Sequence, residues 1–425
     1  MSGLCWPSAA APLDADDLLS EILLRLPPQP SSLPRASAVC RRWRSLASDA
    51  GFSRRFRRHH RRNPPLLGFF QGFCGLTFLP ALEAPNCVPP GRFSLQCDTL
   101  EHCYTILGCR HGLFLLFFQE RLQILVWDPV TGHQHHISLP PGFATYAEKT
   151  DINGAVLCPA GDGQHFQVVL VVADGDDKNN EQALACVYSS KTNLWGNLIS
   201  TPLPYQDNGR RFPSMTVVYS YDAVLAGDAL YWVLCGNFTR ILEFDLEKQS
   251  LSVIGMPVDM VDPHDHASML MRAEGGGLGF SFISKYSAQL WKRETDCDGA
   301  TSWGLAKTIE LDKLIPLKSR EHQPLMIVGY AEENNVVLLG TMDGFFMIHL
   351  ESLKFKKFFG AMNFTYYHPF ESVFTAGIRE DAERSILEQD AVVLPAEAHS
   401  HHDQNTSDAS AAGQAGVSSI GDGAD

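Results

Sequence analysis

Gly112-Leu113-Phe114-Leu115-Leu116-Phe117, followed by Leu125-Val126-Trp127-Asp128-Pro129-Val130-Thr131-Gly132, reads as strand, strand, turn. Two short runs of leucine, β-branched and aromatic residues are separated by polar ones. Asp-Pro-Val-Thr-Gly then supplies residue types that favour tight turns. The same order returns along the chain. Ala185-Cys186-Val187-Tyr188 runs through Ser189-Ser190-Lys191-Thr192-Asn193 into Leu194-Trp195, and Gly227-Asp228-Ala229-Leu230-Tyr231-Trp232-Val233 precedes Ile241-Leu242-Glu243-Phe244-Asp245-Leu246. Phe280-Ser281-Phe282 precedes Gln289-Leu290-Trp291, and Val336-Val337-Leu338-Leu339 turns at Asp343-Gly344 into Phe345-Phe346-Met347-Ile348-His349-Leu350. Asp-Gly between apolar runs is a strong hairpin signal. These five units lie within residues 66–378. That length leaves room for one or two more at the roughly 40–50 residues of a propeller blade. No long amphipathic helix interrupts them. Many short hairpins expose sheet edges, and radial closure protects those edges, so the expected architecture is an antiparallel β-propeller ahead of a β-sandwich.

Upstream the periodicity changes from two to 3.6. Leu18, Leu19, Ile22, Leu23 and Leu26 form one apolar stripe behind Asp14, Asp16, Asp17 and Glu21, acids that suit a helix N-terminus. Pro27-Pro28 stops this helix. Ser31 and Ser32 cap a second, with the stripe Leu33, Ala36, Val39, Cys40, Trp43 and Leu46, and Phe52 and Phe56 mark a third. Three short helices make a thin core, so part of this apolar surface is expected to await a partner. The expected fold class is therefore multidomain, a three-helix unit followed by a large antiparallel β domain. The expected divisions are a disordered N-terminus at 1–12, helices at 13–62, the β domain at 66–378 and a disordered acidic tail at 395–425.

The charge distribution follows those divisions. Lys and Arg total 34 against 48 Asp and Glu, a net of −14 in 425 residues, which argues against a general nucleic-acid binder. Residues 1–65 nevertheless hold 11 arginines against five acids, a net of +6, leaving −20 for the remainder. Arg54 to Arg62 form the densest basic run. It reads either as a solvated helix end that complements the helix dipole or as a nuclear-import or nucleic-acid patch. Beyond residue 395 the chain is mostly Ala, Gly, Ser, Asp and His, with too little apolar surface to offset its ordering entropy. No run of about 18 apolar residues is present to span a membrane. The first residues lack the basic-then-apolar order of a secretory signal. Eleven cysteines form no small disulfide framework, which fits a reducing compartment, cytoplasm or nucleus.

Asp16-Asp17-Leu18-Leu19-Ser20-Glu21-Ile22-Leu23-Leu24-Arg25-Leu26-Pro27, Ser32-Leu33-Pro34-Arg35-Ala36 and Val39-Cys40-Arg41-Arg42-Trp43-Arg44-Ser45-Leu46 closely resemble an F-box over roughly residues 13–56. The Trp127 to Gly132 turn and the Ala-Leu-Tyr-Trp and Leu-Glu-Phe-Asp-Leu strings resemble, less specifically, the F-box-associated regions of plant F-box proteins. In that family the F-box docks on the Skp adaptor, which joins it to a cullin–RING ubiquitin ligase. The resemblance implies that Leu18, Ile22, Leu23, Pro27, Leu33, Val39, Cys40 and Trp43 supply the docking face or the core behind it. It also implies that the β domain receives a target protein. One departure stands out. The family carries Leu-Pro just before the acidic pair, and this chain has Asp14-Ala15 there.

Signals for catalysis are weak. Cys97, Cys103 and Cys109, with His102 and His111, lack the two-to-four-residue spacing of structural zinc sites and read as small hydrophobes. His133, His135 and His136 read as a solvated strand. His264-Asp265-His266 is a polar loop. Asp174, Asp176 and Asp177 around Gly175 lack the closing Glu of a calcium loop. Gly275-Gly276-Gly277-Leu278-Gly279 leads into a strand rather than from strand to helix, unlike a phosphate-binding loop. The expectation is a non-catalytic receptor subunit with no cofactor and no metal. The competing reading is a lectin-like or small-ligand-binding propeller acting outside a ligase.

Overall fold

The computed structural model describes residues 16–375, except 73–74, 96–103, 147–149, 159–164, 175–180, 204–215, 237–238, 258–267, 318–324, 343 and 359–365. The expected tail, the N-terminal segment and the Asp14-Ala15 departure lie outside the described residues. So do Cys97, His102, Cys103, Gly175 to Asp177, His264 to His266 and Asp343.

The helical unit contains four helices where three are expected: α1 (Asp16–Leu24), α2 (Ser32–Ser37), α3 (Arg41–Ala47) and α4 (Ala50–His60). The anticipated second helix breaks after Ser37, whose hydroxyl donates to the Pro34 carbonyl at 2.7 Å. Cys40 is extended, with φ −161° and ψ 168°, and stands at the head of α3. The Asp49 carboxylate accepts from the Phe52 N–H and caps α4. Leu19, Leu23, Leu24, Leu33, Ala36, Ala47, Phe52 and Phe56 form the core, joined by Val373 from the far end of the β domain. Two side-chain bonds fasten α4 to α1. His60 Nε2 donates to the Leu24 carbonyl at 2.8 Å, and Arg55 donates to the Ser20 hydroxyl.

The β domain is a propeller of six antiparallel sheets. Blade 1 joins Leu66–Gln71 and Thr77–Pro80 to Tyr367–Glu371 from the other end of the chain. Blades 2 to 6 follow in order over residues 104–138, 152–202, 217–255, 268–310 and 326–358. The inner strands are Tyr367–Glu371, Tyr104–Arg110, Ile152–Leu157, Val217–Val218 with Val224–Ala226, Ser268–Arg272 and Met326–Ala331. Leu66–Gln71 pairs antiparallel with Tyr367–Glu371, so blade 1 closes the ring and leaves no open edge between chain ends.

Six apolar clusters fill the six gaps between neighbouring blades. Strand alternation assigns the residues. In Gln167–Asp174, Val168, Leu170 and Val172 face blade 2, while Val169, Val171 and Ala173 face blade 4. Both faces of each blade are therefore buried, which is why these strands read as continuous apolar runs. At the seam between blades 6 and 1 the backbones come close. A Cβ on Gly329 would sit 2.5 Å from the Tyr367 carbonyl oxygen, so only glycine fits there.

Candidate functional site

The leucine-rich stripe of α1 divides into two faces. Leu19, Leu23 and Leu24 turn inward, whereas Leu18 is 52% exposed and Ile22 40% exposed. Val39, at the break between α2 and α3, is 62% exposed, and Cys40 and Pro27 are also exposed. Trp43 is half-buried against the helical core. The Arg42 guanidinium bonds the Asp16 carboxylate at 2.7 Å and brings the head of α3 to the head of α1. Leu18, Ile22, Pro27, Val39 and Cys40 thus form the outward apolar set. Leu23 and Leu33 do not belong to it. Both are fully buried and act as core behind the face. An α-helical stripe two residues wide has a solvent half and a core half, and α4 covers the core half.

The helical unit is fastened to the propeller by residues whose sequence signal points elsewhere. Arg57 reaches Asp128 of blade 2 at 3.4 Å, and Arg61 donates to the Cys158 carbonyl of blade 3. Ser31 N–H and Oγ both bond Asn86 Oδ1, at 3.2 and 2.7 Å. The basic run Arg54 to Arg62 is therefore neither a purely solvated helix end nor a free patch, because Arg57 and Arg61 contact the propeller. Asp128 has a double duty. Its Oδ1 accepts from the Val130 and Thr131 N–H groups and closes the turn, while Oδ2 faces Arg57. Asp245 and Asp296 close turns of blades 4 and 5 in the same manner.

A charged cluster lies where the inner strands end, at one end of the propeller axis. Arg110 and Arg272 are the last residues of their strands, Glu332 follows a third, and Glu371 ends the closing strand. Arg110 Nη2 donates to Glu332 Oε1 at 2.7 Å and to the Ala223 carbonyl at 2.6 Å, and Glu332 also accepts from the Leu225 N–H. Arg272 lies 3.1 Å from Glu333 and 3.6 Å from Glu332. Glu371 accepts from Asn334 Nδ2 and from the Asn334 and Glu333 N–H groups. Asp222 Oδ1 bonds His368 Nδ1 at 2.7 Å.

Burial sets the ionisation of this cluster. It raises the Glu332 carboxyl against the pull of Arg110 and Arg272, and it pushes Glu371 up to about 7 despite three hydrogen bonds. It also pushes His111 down to about 3, with Arg110, Arg61 and Arg272 adding to the effect, so that His111 is neutral and accepts from the Cys158 N–H. Nothing in the strand periodicity announced this cluster. The available signal is positional, a charged residue closing several inner strands.

The other candidate residues disperse. His135 bonds the Tyr188 hydroxyl at 3.0 Å and His136 bonds Gln123 at 3.2 Å, on opposite faces of Gln134–Ser138. Cys109 is a free thiol raised well above its ordinary value by burial. Gly275 and Gly276 take positive φ in a turn between the first two strands of blade 5. Among the described residues no group of three or more His, Cys, Asp or Glu is placed to hold a metal ion. No helix among them is long and apolar enough to cross a membrane.

Two family models agree with this architecture. A family model described as "F-box-like" matches residues 16–59, and one described as "F-box protein AT5G49610-like, beta-propeller" matches residues 105–374. F-box/LRR-repeat protein At2g43260 of Arabidopsis thaliana is 22% identical over 340 residues, covering 76% of this chain and 73% of that protein. Among solved structures, the WD40 domain of SCAP from fission yeast aligns at 10% identity and a TM-score of 0.31, over 63% of this chain and 58% of that one. The β-propeller domain of Myceliophteria thermophila Cps50 (Swd1) aligns at 10% identity and a TM-score of 0.29, over 58% and 68%. With an F-box-like domain at its N-terminus and a propeller matched across well over half its length, the chain belongs to the AT5G49610-like F-box proteins with a β-propeller.

Proposed function

We propose that the protein is the substrate-recognition subunit of a Skp–cullin–F-box type ubiquitin ligase. In this reading residues 13–62 dock the Skp-type adaptor and residues 66–378 hold a target protein. The observation that carries it is the outward apolar set Leu18, Ile22, Pro27, Val39 and Cys40, on the segment that the F-box-like model matches. Trp43 packs half-buried against the helical core, in which Leu23 and Leu33 are buried. An apolar face left open by a small helical unit is what a protein partner covers.

The mechanism is positional. The Arg57–Asp128 and Arg61–Cys158 contacts fasten the docking helices to the propeller, so a target on the propeller is carried at a set distance from the adaptor. Holding the target there raises the effective concentration of its lysines at a ubiquitin-charged enzyme, and the subunit itself performs no chemistry. The working compartment in this reading is the cytoplasm or the nucleus. Co-purification with a Skp-type adaptor tests the proposal. The wild-type chain and a control variant, Leu305→Ala on an exposed propeller position, are expected to retain adaptor. Ile22→Ala with Val39→Ala is expected to lose it. Equal recovery with all three chains would sink the proposal.

A further inference from the structure

The outer edge of blade 5 lacks the protection that the other blade edges have. A strand edge with free N–H and C=O groups is a template for another strand, and proteins blunt such edges with short strands, lysine, proline or bulges. Thr77–Pro80 in blade 1 is four residues long and ends in proline. Blade 3 ends in two short pieces, Leu194–Trp195 and Ile199–Pro202, the second closed by proline. Gln134–Ser138 and Ser250–Gly255 are five and six residues long, and Phe355–Phe358 carries Lys356 and Lys357. Thr301–Glu310, the outer strand of blade 5, is ten residues long and contains no proline. It pairs with Ser287–Thr295 on one side, and no strand among the described residues pairs with its other side. The ladder shifts at Ala306, so Thr301 to Leu305 is the regular stretch.

The side chains of that stretch say what it can pair with. Thr301, Ser302, Trp303, Gly304 and Leu305 carry no charge, so a second copy of the strand can lie antiparallel to it without like charges meeting. Pairing centred on Trp303 sets Thr301 against Leu305, Ser302 against Gly304 and the two Trp303 rings against one another. Aromatic cross-strand pairs of this kind are favourable. Leu305 is 50% exposed, and the Trp303 indole is already held, its Nε1 donating to the Gly255 carbonyl at 3.0 Å. Little side-chain freedom is therefore lost on pairing. The ends of the stretch are complementary. The exposed Asp298 precedes it, and Lys307 follows it with one ammonium hydrogen on the Leu350 carbonyl and two to spare. Antiparallel order brings the acid of one copy toward the lysine of the other at both ends, which selects a second copy over an arbitrary strand.

We propose that two copies of the protein pair through Thr301 to Leu305, joining two four-stranded sheets into one across a two-fold axis. Blade 5 stands across the ring from blade 2, where Arg57 fastens the helical unit, and antiparallel pairing inverts one propeller relative to the other. The apolar faces of both helical units stay clear of the seam, so the proposal stands or falls independently of adaptor binding. Sedimentation equilibrium of the full chain between about 5 and 200 μM tests it, with hydrogen exchange read at both concentrations. One strand pair is at the small, weak end of protein interfaces, so a dissociation constant of about 50 μM is expected. The outward amides of residues 301–305 should exchange about threefold more slowly at the higher concentration, where roughly a third of the chains would remain free. Asp298→Lys and Lys307→Glu, each turning two attractions into repulsions, should weaken the dimer by about tenfold, and the chain carrying both should recover it. A chain that stays monomeric at about 200 μM, a dimer that leaves these amides unprotected, or one indifferent to both single charge variants would overturn the proposal.

Discussion

Ile22 and Leu23 are adjacent in the chain and differ in what covers them: 40% of Ile22 is exposed and none of Leu23. Truncating each therefore has a different consequence. Leu23→Ala opens a cavity among Leu19, Phe52 and Phe56 and should cost about 2–5 kcal/mol of stability, read by denaturant unfolding. Ile22→Ala should change stability by only about 0.5 kcal/mol, its effect falling on the adaptor. An equal loss of stability in both would show that the stripe is not divided. The sequence carries the stripe but not the division, because the covering residues are distant. Phe56 lies a helix away and Val373 at the end of the propeller.

Glu371 gives the residue scale a pH signature. Its carboxyl titrates near 7 in the folded chain against an ordinary 4.5, so the unfolded chain gives up the proton first. Stability from this group is full below about pH 4.5, falls as pH rises toward 7 and then levels off, a swing of about 3 kcal/mol. Glu371→Gln keeps an acceptor for Asn334 and removes the titration. The variant's stability should fall less steeply than wild type between pH 4.5 and 7, and parallel curves would contradict the assignment.

At the scale of elements, the helix expected to run from Leu33 to Leu46 is two helices. Its periodicity is real on both sides of the break, so a stripe count alone passes over it. The signal lies in Ser37, which bonds back to Pro34, and in the extended Cys40. The break is also what sets Val39 out into solvent. The basic run Arg54 to Arg62 is the opposite case, plain in the sequence and ambiguous in purpose until the Asp128 and Cys158 partners are seen. Asp128 and Arg57 allow a quantitative comparison. Their pair is long and partly exposed and should contribute under about 1 kcal/mol, so Arg57→Ala should be nearly silent. Asp128→Ala also removes two turn bonds and should cost about 1–3 kcal/mol. Equal effects of the two substitutions on the unfolding midpoint would contradict the double duty of Asp128.

At the scale of the whole molecule, the turn-and-strand order showed five units and the ring holds six blades. The missing blade is blade 1, whose strands come from both ends of the chain, so no local window contains it. Its closure makes a prediction. A chain ending at residue 365 loses Tyr367–Glu371, leaves Leu66–Gln71 without its inner partner and uncovers the Phe70 and Phe114 cluster. It should fail to give a cooperative thermal transition. A chain ending at residue 394 loses only the low-complexity tail and should melt within about 2 °C of the full chain. A stable 365-residue product would mean that the ring does not depend on its closing strand.

The central claim, that the outward face of the helical unit docks a Skp-type adaptor, is most directly tested by measuring the affinity of the full chain for purified adaptor beside that of Ile22→Ala with Val39→Ala. Interface hot spots typically cost about 2 kcal/mol or more each on truncation, so two together correspond to about a thousandfold. The account predicts wild-type binding below about 1 μM, a loss of about a thousandfold in the double variant and a melting temperature shifted by no more than about 3 °C. Absence of wild-type binding at micromolar concentrations, or a double variant that binds as tightly as wild type, would contradict it.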